Sequence, residues 1–285
     1  MSDQAQTAAP CLKPQSPFDV QSLLEQGSGT FNEDALLIQE TLFGVFDGAS
    51  SLKGDLYRGK SGAWWAAHLA RGAFAANDAS LSALAEKANR AIAKGMVLAA
   101  VDVTERLQLW STSAAVVRIN GEMLDYVQIG DALILAIYDD GIFDMPAPFH
   151  NHDRSTFDLW GTLAQQGCDN IRTHLVPHIE QVRRQMNRQF GVLNGEEEMR
   201  GFLHSGSLPT AGLQHLLIFT DGLHLPKELS GNVDFARMVD CYLQHGLTGL
   251  HQAIRHLEKS DPDCCRFPRF KQHDDIATIA IEFNH

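Results

Sequence analysis

Short acidic elements stand out in this sequence for what they could do together: Asn32-Glu33-Asp34, Asp47-Gly48, Gly130-Asp131, Asp221-Gly222 and Asp274-Asp275. Each abuts a short apolar run that reads as a strand, which places each carboxylate at a strand end. Strand ends gathered in a sheet share a rim, and several carboxylates on one rim repel one another unless cations sit between them. A shell of carboxylates, backbone carbonyls and water suits hard divalent ions, Mg²⁺ or Mn²⁺, whereas zinc draws His or Cys. The glycines beside Asp47 and Asp221 allow tight turns and close backbone approach, so a carbonyl can join the ligands. One Asp-Gly after a strand is an ordinary turn signal. The whole set, repeated at strand ends, is what points to a metal centre.

The elements that must position these acids follow from pattern. Residues 35–38 and 42–46 read as a hairpin of buried strands. Residues 60–77 read as a helix, with Trp64, Trp65, His68, Leu69 and Phe74 near helical spacing among alanines. A second helix is expected over 81–107, with Gly95 as an interruption. Residues 113–119 and 123–129 flank Asn120-Gly121, a tight-turn dipeptide, and form another hairpin. A strand over 133–138 follows, and residues 146–215 read as loop and helix with few strand signals. A strand over 216–220, helices over 233–243 and 247–257, and a strand over 276–283 close the chain. Strands in runs and helices in runs, without βαβ alternation, indicate an α+β layered fold. Residues 1–17 are polar and aperiodic and read as a flexible N-terminal tail. No repeat or linker divides 18–285, so a single domain is expected there.

Composition narrows the function classes. The 285 residues are 44% hydrophobic and 20% charged, ordinary for a globular protein and unlike a disordered one. Lys+Arg 23 against Asp+Glu 35 leaves a formal charge of −12. A chain this acidic is unsuited to nucleic acid or an anionic membrane, so neither is expected as a partner. The cysteines, Cys11, Cys168, Cys241, Cys264 and Cys265, have no zinc-like spacing and read as reduced thiols. No leader or membrane-spanning run is visible, so a cytoplasmic protein is expected.

In order along the chain stand Asn32-Glu33-Asp34, Val45-Phe46-Asp47-Gly48, Ser111-Thr112-Ser113-Ala114, Val127-Gln128-Ile129-Gly130-Asp131, Ile218-Phe219-Thr220-Asp221-Gly222-Leu223 and His273-Asp274-Asp275-Ile276. This series resembles the metal-dependent protein phosphatases, the type 2C serine/threonine phosphatases, in their bacterial form, across nearly the whole chain. The resemblance implies an αββα sandwich, two antiparallel β-sheets flanked by helices, with a binuclear Mn²⁺ or Mg²⁺ centre at one rim. It implies that Asp47 bridges two ions, that the Gly48 carbonyl ligates one, and that Asp221 and Asp274 are direct ligands. Glu33 and Asp34 match residues that hold the shell through water, and Asp131 matches a third, weaker metal site shared with Asp221. Asp275 falls in the neighbouring supporting slot. Hydrolysis of phosphoserine or phosphothreonine in kinase-target proteins would proceed by direct attack of a bridging hydroxide. Residues 146–215 correspond to the family's variable flap.

Departures from the pattern matter too. The Arg that grips substrate phosphate in many members is Gly29 here, which removes a bidentate contact. The His after Asp-Gly in some members is Ala49. Lys53, Arg58 and Lys60 are candidates to supply a substitute cation, while Arg183, Arg184 and Arg188 read as a solvated helix face. His150, His152 and His273 read as loop or surface histidines, Trp64 and Trp65 as packing. Ser111-Thr112-Ser113 reads as small residues packing at a strand start. Two alternatives stay open at this level: a pseudophosphatase that binds a partner without turnover, and a phosphatase of a small phosphorylated metabolite.

Overall fold

Alternating side chains divide the strands between two sheets. The computed structural model describes residues 17–228 and 233–284; the expected tail, Pro17 apart, lies outside them. Along the chain run β1 (Phe18–Glu25), β2 (Ala35–Ile38), β3 (Leu42–Gly48), β4 (Leu56–Tyr57), β5 (Lys60–Ser61), α1 (Gly62–Ala75) and α2 (Leu81–Leu98). Then come β6 (Thr112–Asn120), β7 (Met123–Ile129), β8 (Leu133–Tyr138), β9 (Phe143–Asp144), α3 (Arg154–Gln165) and α4 (Ile171–Arg183). The series ends with β10 (His204–Pro209), β11 (Leu213–Phe219), α5 (Phe235–Lys259) and β12 (Ile276–Phe283).

One sheet has the order β1-β12-β11-β8-β9 and the other β10-β7-β6-β3-β2, with β4 and β5 a separate small hairpin. Every pairing is antiparallel. Because strand side chains alternate between faces, Phe43 and Val45 point between the sheets, against Ile134, Ile218 and Ile279. Their neighbour Phe46 points outward onto Ala70 and Phe74 of α1, beside Leu84 and Ile92 of α2. On the opposite outer face Leu135, Leu217 and Ala280 pack against Met238, Leu250 and Ile254 of α5. The result is helix, sheet, sheet, helix: the expected αββα sandwich.

Several boundaries differ from the sequence reading for identifiable reasons. The second helix stops at Leu98 and passes through Gly95 unbroken. It ends where Ala100 takes φ of +55° and the Val101 N–H bonds back to the Met96 carbonyl at 3.0 Å, a Schellman-type stop. The two helices expected over 233–257 are joined end to end in α5, which turns at Gly246 (φ 67°, ψ −177°), a conformation open to glycine. β1 and β10 carried no strand signal, and both are edge strands whose side chains are mostly exposed. The four cysteines among the described residues are free. Among those residues no helix is long and apolar enough to cross a membrane.

Register explains why the acids meet. In one sheet Ala35 pairs with Phe46, and Asp47 with Ser113. In the other, Phe219 pairs with both Thr278 and Leu133. Asp34, Asp47, Asp131, Asp221 and Asp274 each flank or occupy one of these strand ends. All five therefore come to one rim of the sandwich.

Candidate functional site

At that rim the carboxylates interact directly. The Asp47 and Asp221 carboxyls are close enough to share a hydrogen bond. Burial first, then the charges of Asp34, Asp221, Asp131 and Asp274, push Asp47 well above the usual carboxylate range. Burial likewise raises Asp221, followed by Asp274, Asp131 and Asp34, with the bond to Asp47 opposing. Asp34 is raised by burial despite a 2.7 Å hydrogen bond from the Thr220 hydroxyl. A cluster of this kind must hold either protons or cations. Its donors are all carboxylate oxygens, which suits divalent ions of the Mg²⁺ and Mn²⁺ kind.

Short polar contacts brace the rim. The Thr112 hydroxyl donates to the Asp47 carbonyl at 2.7 Å, and the Ala132 N–H, beside Asp131, donates to Ser113 Oγ at 3.1 Å. Ser111, Thr112 and Ser113 are all buried, so this segment is packing, as its small side chains indicate. Glu33 accepts from Ser50 Oγ and, at 2.5 Å, from Ser61 Oγ. Ser61 also caps α1 by accepting from the Trp64 N–H at 3.1 Å. Asp275, only 2% exposed, accepts from the Gly27 N–H at 2.7 Å and the Glu33 N–H at 3.1 Å. It pins the segment carrying Glu33 and Asp34 to the start of β12, the supporting role expected of it.

Gly48 follows Asp47 in a place without room. A Cβ there would meet the Ala63 carbonyl oxygen at 2.5 Å and the Glu33 carbonyl oxygen at 2.8 Å. Gly48→Ala is expected to destabilise the fold by about 1–3 kcal/mol, the scale of overpacking, since backbone must move at both contacts. Urea unfolding of the metal-free protein reads this; an unchanged midpoint would show that the backbone yields freely.

The cations are not those the sequence suggested. Lys53 and Arg58 are exposed, and the Lys60 ammonium lies over the rings of Phe31 and Trp64, at 4.7 and 5.3 Å from their centroids. Lys271 instead enters the rim, 2.8 Å from Asp274, 3.4 Å from Asp275 and 3.9 Å from Glu33. Burial works against its charge, but the Asp274 and Asp275 carboxylates outweigh it and raise its pKa above the ordinary lysine range. Its sequence signal was present in Lys271-Gln272-His273-Asp274, a cation one helical turn's spacing from a candidate ligand. Arg183 corrects the solvated-face reading: at the end of α4 it donates to the Ser50 carbonyl and lies near Asp153 and Glu33. Arg184 and Arg188 are exposed as expected.

The segment 146–215 reaches the rim at a second point. His152 Nε2 lies 3.6 Å from Asp131 Oδ2 and 3.6 Å from Asp153 Oδ2, so His152 is a loop histidine, on the turn before α3, that faces the rim and is half-buried. Its ring stacks on Phe190, centroids 4.1 Å apart at 5°. A cleft of ≈ 180 Å³ is lined by Asp131, His152, Asp153, Asp221, His224 and Asp274, among others. Burial lowers the His224 pKa to about 4, with Asp131 opposing. His150 also lies in this segment, whereas His273 bonds Glu258 at 2.8 Å through Nδ1. Trp64 and Trp65 pack edge to face, as their spacing suggested.

The sequence pattern of the family described as protein phosphatase 2C matches residues 25–254. Among solved structures the chain is similar to the serine/threonine phosphatase PstP/Ppp of Mycobacterium tuberculosis. The two share 18% identity over 94% of this chain and 99% of that one, with a TM-score of 0.58. A PstP catalytic domain in complex with two manganese ions is similar at 16% identity, 94% and 99% coverage and a TM-score of 0.57. Stp1 from Staphylococcus aureus is similar at 12% identity, 98% and 100% coverage and 0.57. At these identities the likeness is one of fold. No curated protein matches the chain in sequence.

Proposed function

The chain belongs to the protein phosphatase 2C family of serine/threonine phosphatases, and on that premise we propose that its acidic rim is a binuclear metal centre hydrolysing phosphoserine and phosphothreonine in proteins. The observation that carries this reading is the convergence of Asp47, Asp221, Asp34, Asp131 and Asp274, each raised by or acting on the others. Asp47, Asp221 and Asp274, with the Gly48 carbonyl, would hold two ions; Glu33 and Asp34 would steady the surrounding water. Mn²⁺ or Mg²⁺ bound there supplies an acidified water and polarises the phosphoryl oxygens. We take 18–285 as one phosphatase domain, with 146–215 as its flap, acting in the cytoplasm on targets of serine/threonine kinases.

Lys271 offers the substrate phosphate the cation that Gly29 does not. The segment around Gly29 is tied to the segment around Lys271, since the Ser28 N–H donates to the His273 carbonyl at 2.8 Å. An ammonium at this place attracts a dianion as a point charge, without the bidentate grip of a guanidinium. Lys271→Met is expected to raise KM for a phosphothreonine peptide roughly tenfold, the scale of one charged hydrogen bond, with kcat changed far less. A KM unchanged at saturating Mn²⁺ would remove Lys271 from substrate binding.

The activity itself is tested by phosphate release from p-nitrophenyl phosphate and a phosphothreonine peptide across a Mn²⁺ titration, with a chelator control. Chelator-sensitive turnover that rises with Mn²⁺ is expected. No turnover in protein that binds Mn²⁺ tightly would make the chain a binding module instead. Turnover confined to small phosphomonoesters would make it a metabolite phosphatase.

A further inference from the structure

We infer that Arg255 is a positioning residue for the proposed metal centre, holding the backbone of Asp274 so that its carboxylate faces the acidic rim. This role rests on the reading of that rim as a metal centre, and Arg255 acts in it only through one of the ligands. Arg255 stands on α5 and is 7% exposed. Each of its three guanidinium nitrogens meets a different part of the fold. Nε donates to Glu25 at the end of β1 at 3.0 Å, one Nη to Glu258 of α5 at 2.7 Å, and the other Nη to the Asp274 carbonyl at 2.9 Å.

The peptide that carries Asp274 is held at several contacts. Gly27 packs directly on it: a Cβ there would meet the Asp274 carbonyl carbon at 2.5 Å and its oxygen at 2.7 Å. The Gly27 N–H donates to Asp275 Oδ1 at 2.7 Å, and Glu25, two residues earlier, accepts from Arg255. Arg255 thus ties the end of β1 to the segment before β12. Glu258 adds a second tie, since it bonds both Arg255 and, at 2.8 Å, Nδ1 of His273, the residue before Asp274. With its backbone fixed, the Asp274 side chain is set in turn: Oδ1 accepts from Lys271 at 2.8 Å and from the Asp275 N–H at 2.9 Å. Of the acids that act on Asp221, Asp274 acts most strongly.

Stability alone does not account for this pair. Glu258 is 3% exposed, and a buried ion pair gains less than its desolvation costs unless its remaining donors are bonded as well. Apolar side chains of similar volume often serve such a place equally well or better, and α5 supplies them on its neighbouring face in Leu247, Leu250 and Ile254. What the charged pair adds is direction. A guanidinium is a planar fork, so its bonds fix the orientation of the groups that accept them. Arg255 and Glu258, three residues apart, share one face of the helix, and both reach the segment that carries the ligand. Groups that orient a ligand in this way set metal affinity without touching the ion.

Mn²⁺ binding to the full chain, read from the electron paramagnetic resonance of free Mn²⁺, tests the role in wild type, Arg255→Lys, Asp274→Asn and the double variant. Arg255→Lys keeps a positive charge beside Glu25 and Glu258 and gives up the fork. Ile254→Val, a packing change on the apolar face of the same helix, is the control for lost stability. Arg255→Lys should weaken Mn²⁺ binding at least ~10-fold, the scale of a disturbed ligand support. The Mn²⁺ concentration for half-maximal turnover of p-nitrophenyl phosphate should rise by the same factor, with KM at saturating Mn²⁺ unchanged. Ile254→Val should lower the melting temperature and bind Mn²⁺ as wild type does. The double variant should bind no more weakly than Asp274→Asn, because the effect of Arg255 runs through Asp274. Should Arg255→Lys not fold, Glu258→Gln, which keeps the shape of the side chain, carries the same expectations. Wild-type Mn²⁺ affinity in Arg255→Lys, an equal loss in Ile254→Val, or a full further loss in the double variant overturns the positioning role and leaves the metal centre standing. Undiminished Mn²⁺ affinity in Asp274→Asn overturns the metal centre, and this role with it.

Discussion

Asp221→Asn is expected to lose metal-dependent turnover by ~10³-fold or more, the scale seen when a preorganised charge-stabilising group is removed from a reacting centre. The same change should make the metal-free protein more stable. Asp221 is buried against Asp274, Asp131 and Asp34, and its raised pKa records the cost of charge there. An amide keeps the shape of the side chain and can still bond Asp47, without adding charge to the cluster. Each kcal/mol of repulsion relieved should raise the melting temperature by about 2–4 °C. Asp47→Asn should behave alike, because Asp47 sits among the same charges. The pairing of the two effects is what identifies a ligand. A residue needed only for folding would lose activity and stability together, whereas a ligand loses activity while the empty site relaxes. Wild-type rates in Asp221→Asn at saturating Mn²⁺ would show that the metal assignment is wrong.

The sandwich was legible because its central strands are strongly apolar. β3, β6, β8, β11 and β12 are buried on both faces or nearly so, and their ends fall where Asp-Gly and Asp-Asp dipeptides punctuate the sequence. The last strand needed no adjustment at all. β1 and β10 escaped because an edge strand takes its place through backbone pairing. Gln21, Ser22, Ser205 and Gly206 face solvent or lie at the rim of the sheet, so no alternation marks them.

The site divides along the same line. Carboxylates at strand ends could be read one by one, since each strand end is a local feature. Arg183 and His152 could not, because each depends on a loop or helix folding back over the rim, and Lys271 left only its spacing from Asp274 as a signal. Their positions rest on contacts between residues distant in the chain. Asp261 accepts from Arg269 at 2.9 Å, which shapes the loop that delivers Lys271. Phe157 and Trp160 of α3 pack on Phe270 of that loop, which brings the segment 146–215 across the cleft. A cation chosen by nearness in sequence to Asp47, such as Lys53, had no such contact to draw it inward.

Stability of the metal-free protein should fall as pH rises, and bound metal should reverse the trend. Asp34, Asp47 and Asp221 have folded pKa values above those of the unfolded chain, which lie near ~3.9. Above that pH the unfolded chain has released protons that the folded protein still holds. The slope of unfolding free energy with pH follows protons bound unfolded minus protons bound folded, which is negative here. Their contribution is therefore complete below pH ~4 and is lost as pH climbs through the raised folded values. His224 acts in the opposite sense: its folded value of about 4 lies below the ~6.5 of an unfolded histidine, so its contribution grows across that interval. Comparing chelated with Mn²⁺-saturated protein removes this and every other background group. Metal binding requires the carboxylates deprotonated and releases their protons, so its stabilisation must grow with pH as the chelated curve falls. The difference in melting temperature should be small near pH 4.5 and increase steadily to pH 8. Asp221→Asn should flatten it. A difference that stays constant over that range in wild type would mean that the ions do not bind the raised carboxylates.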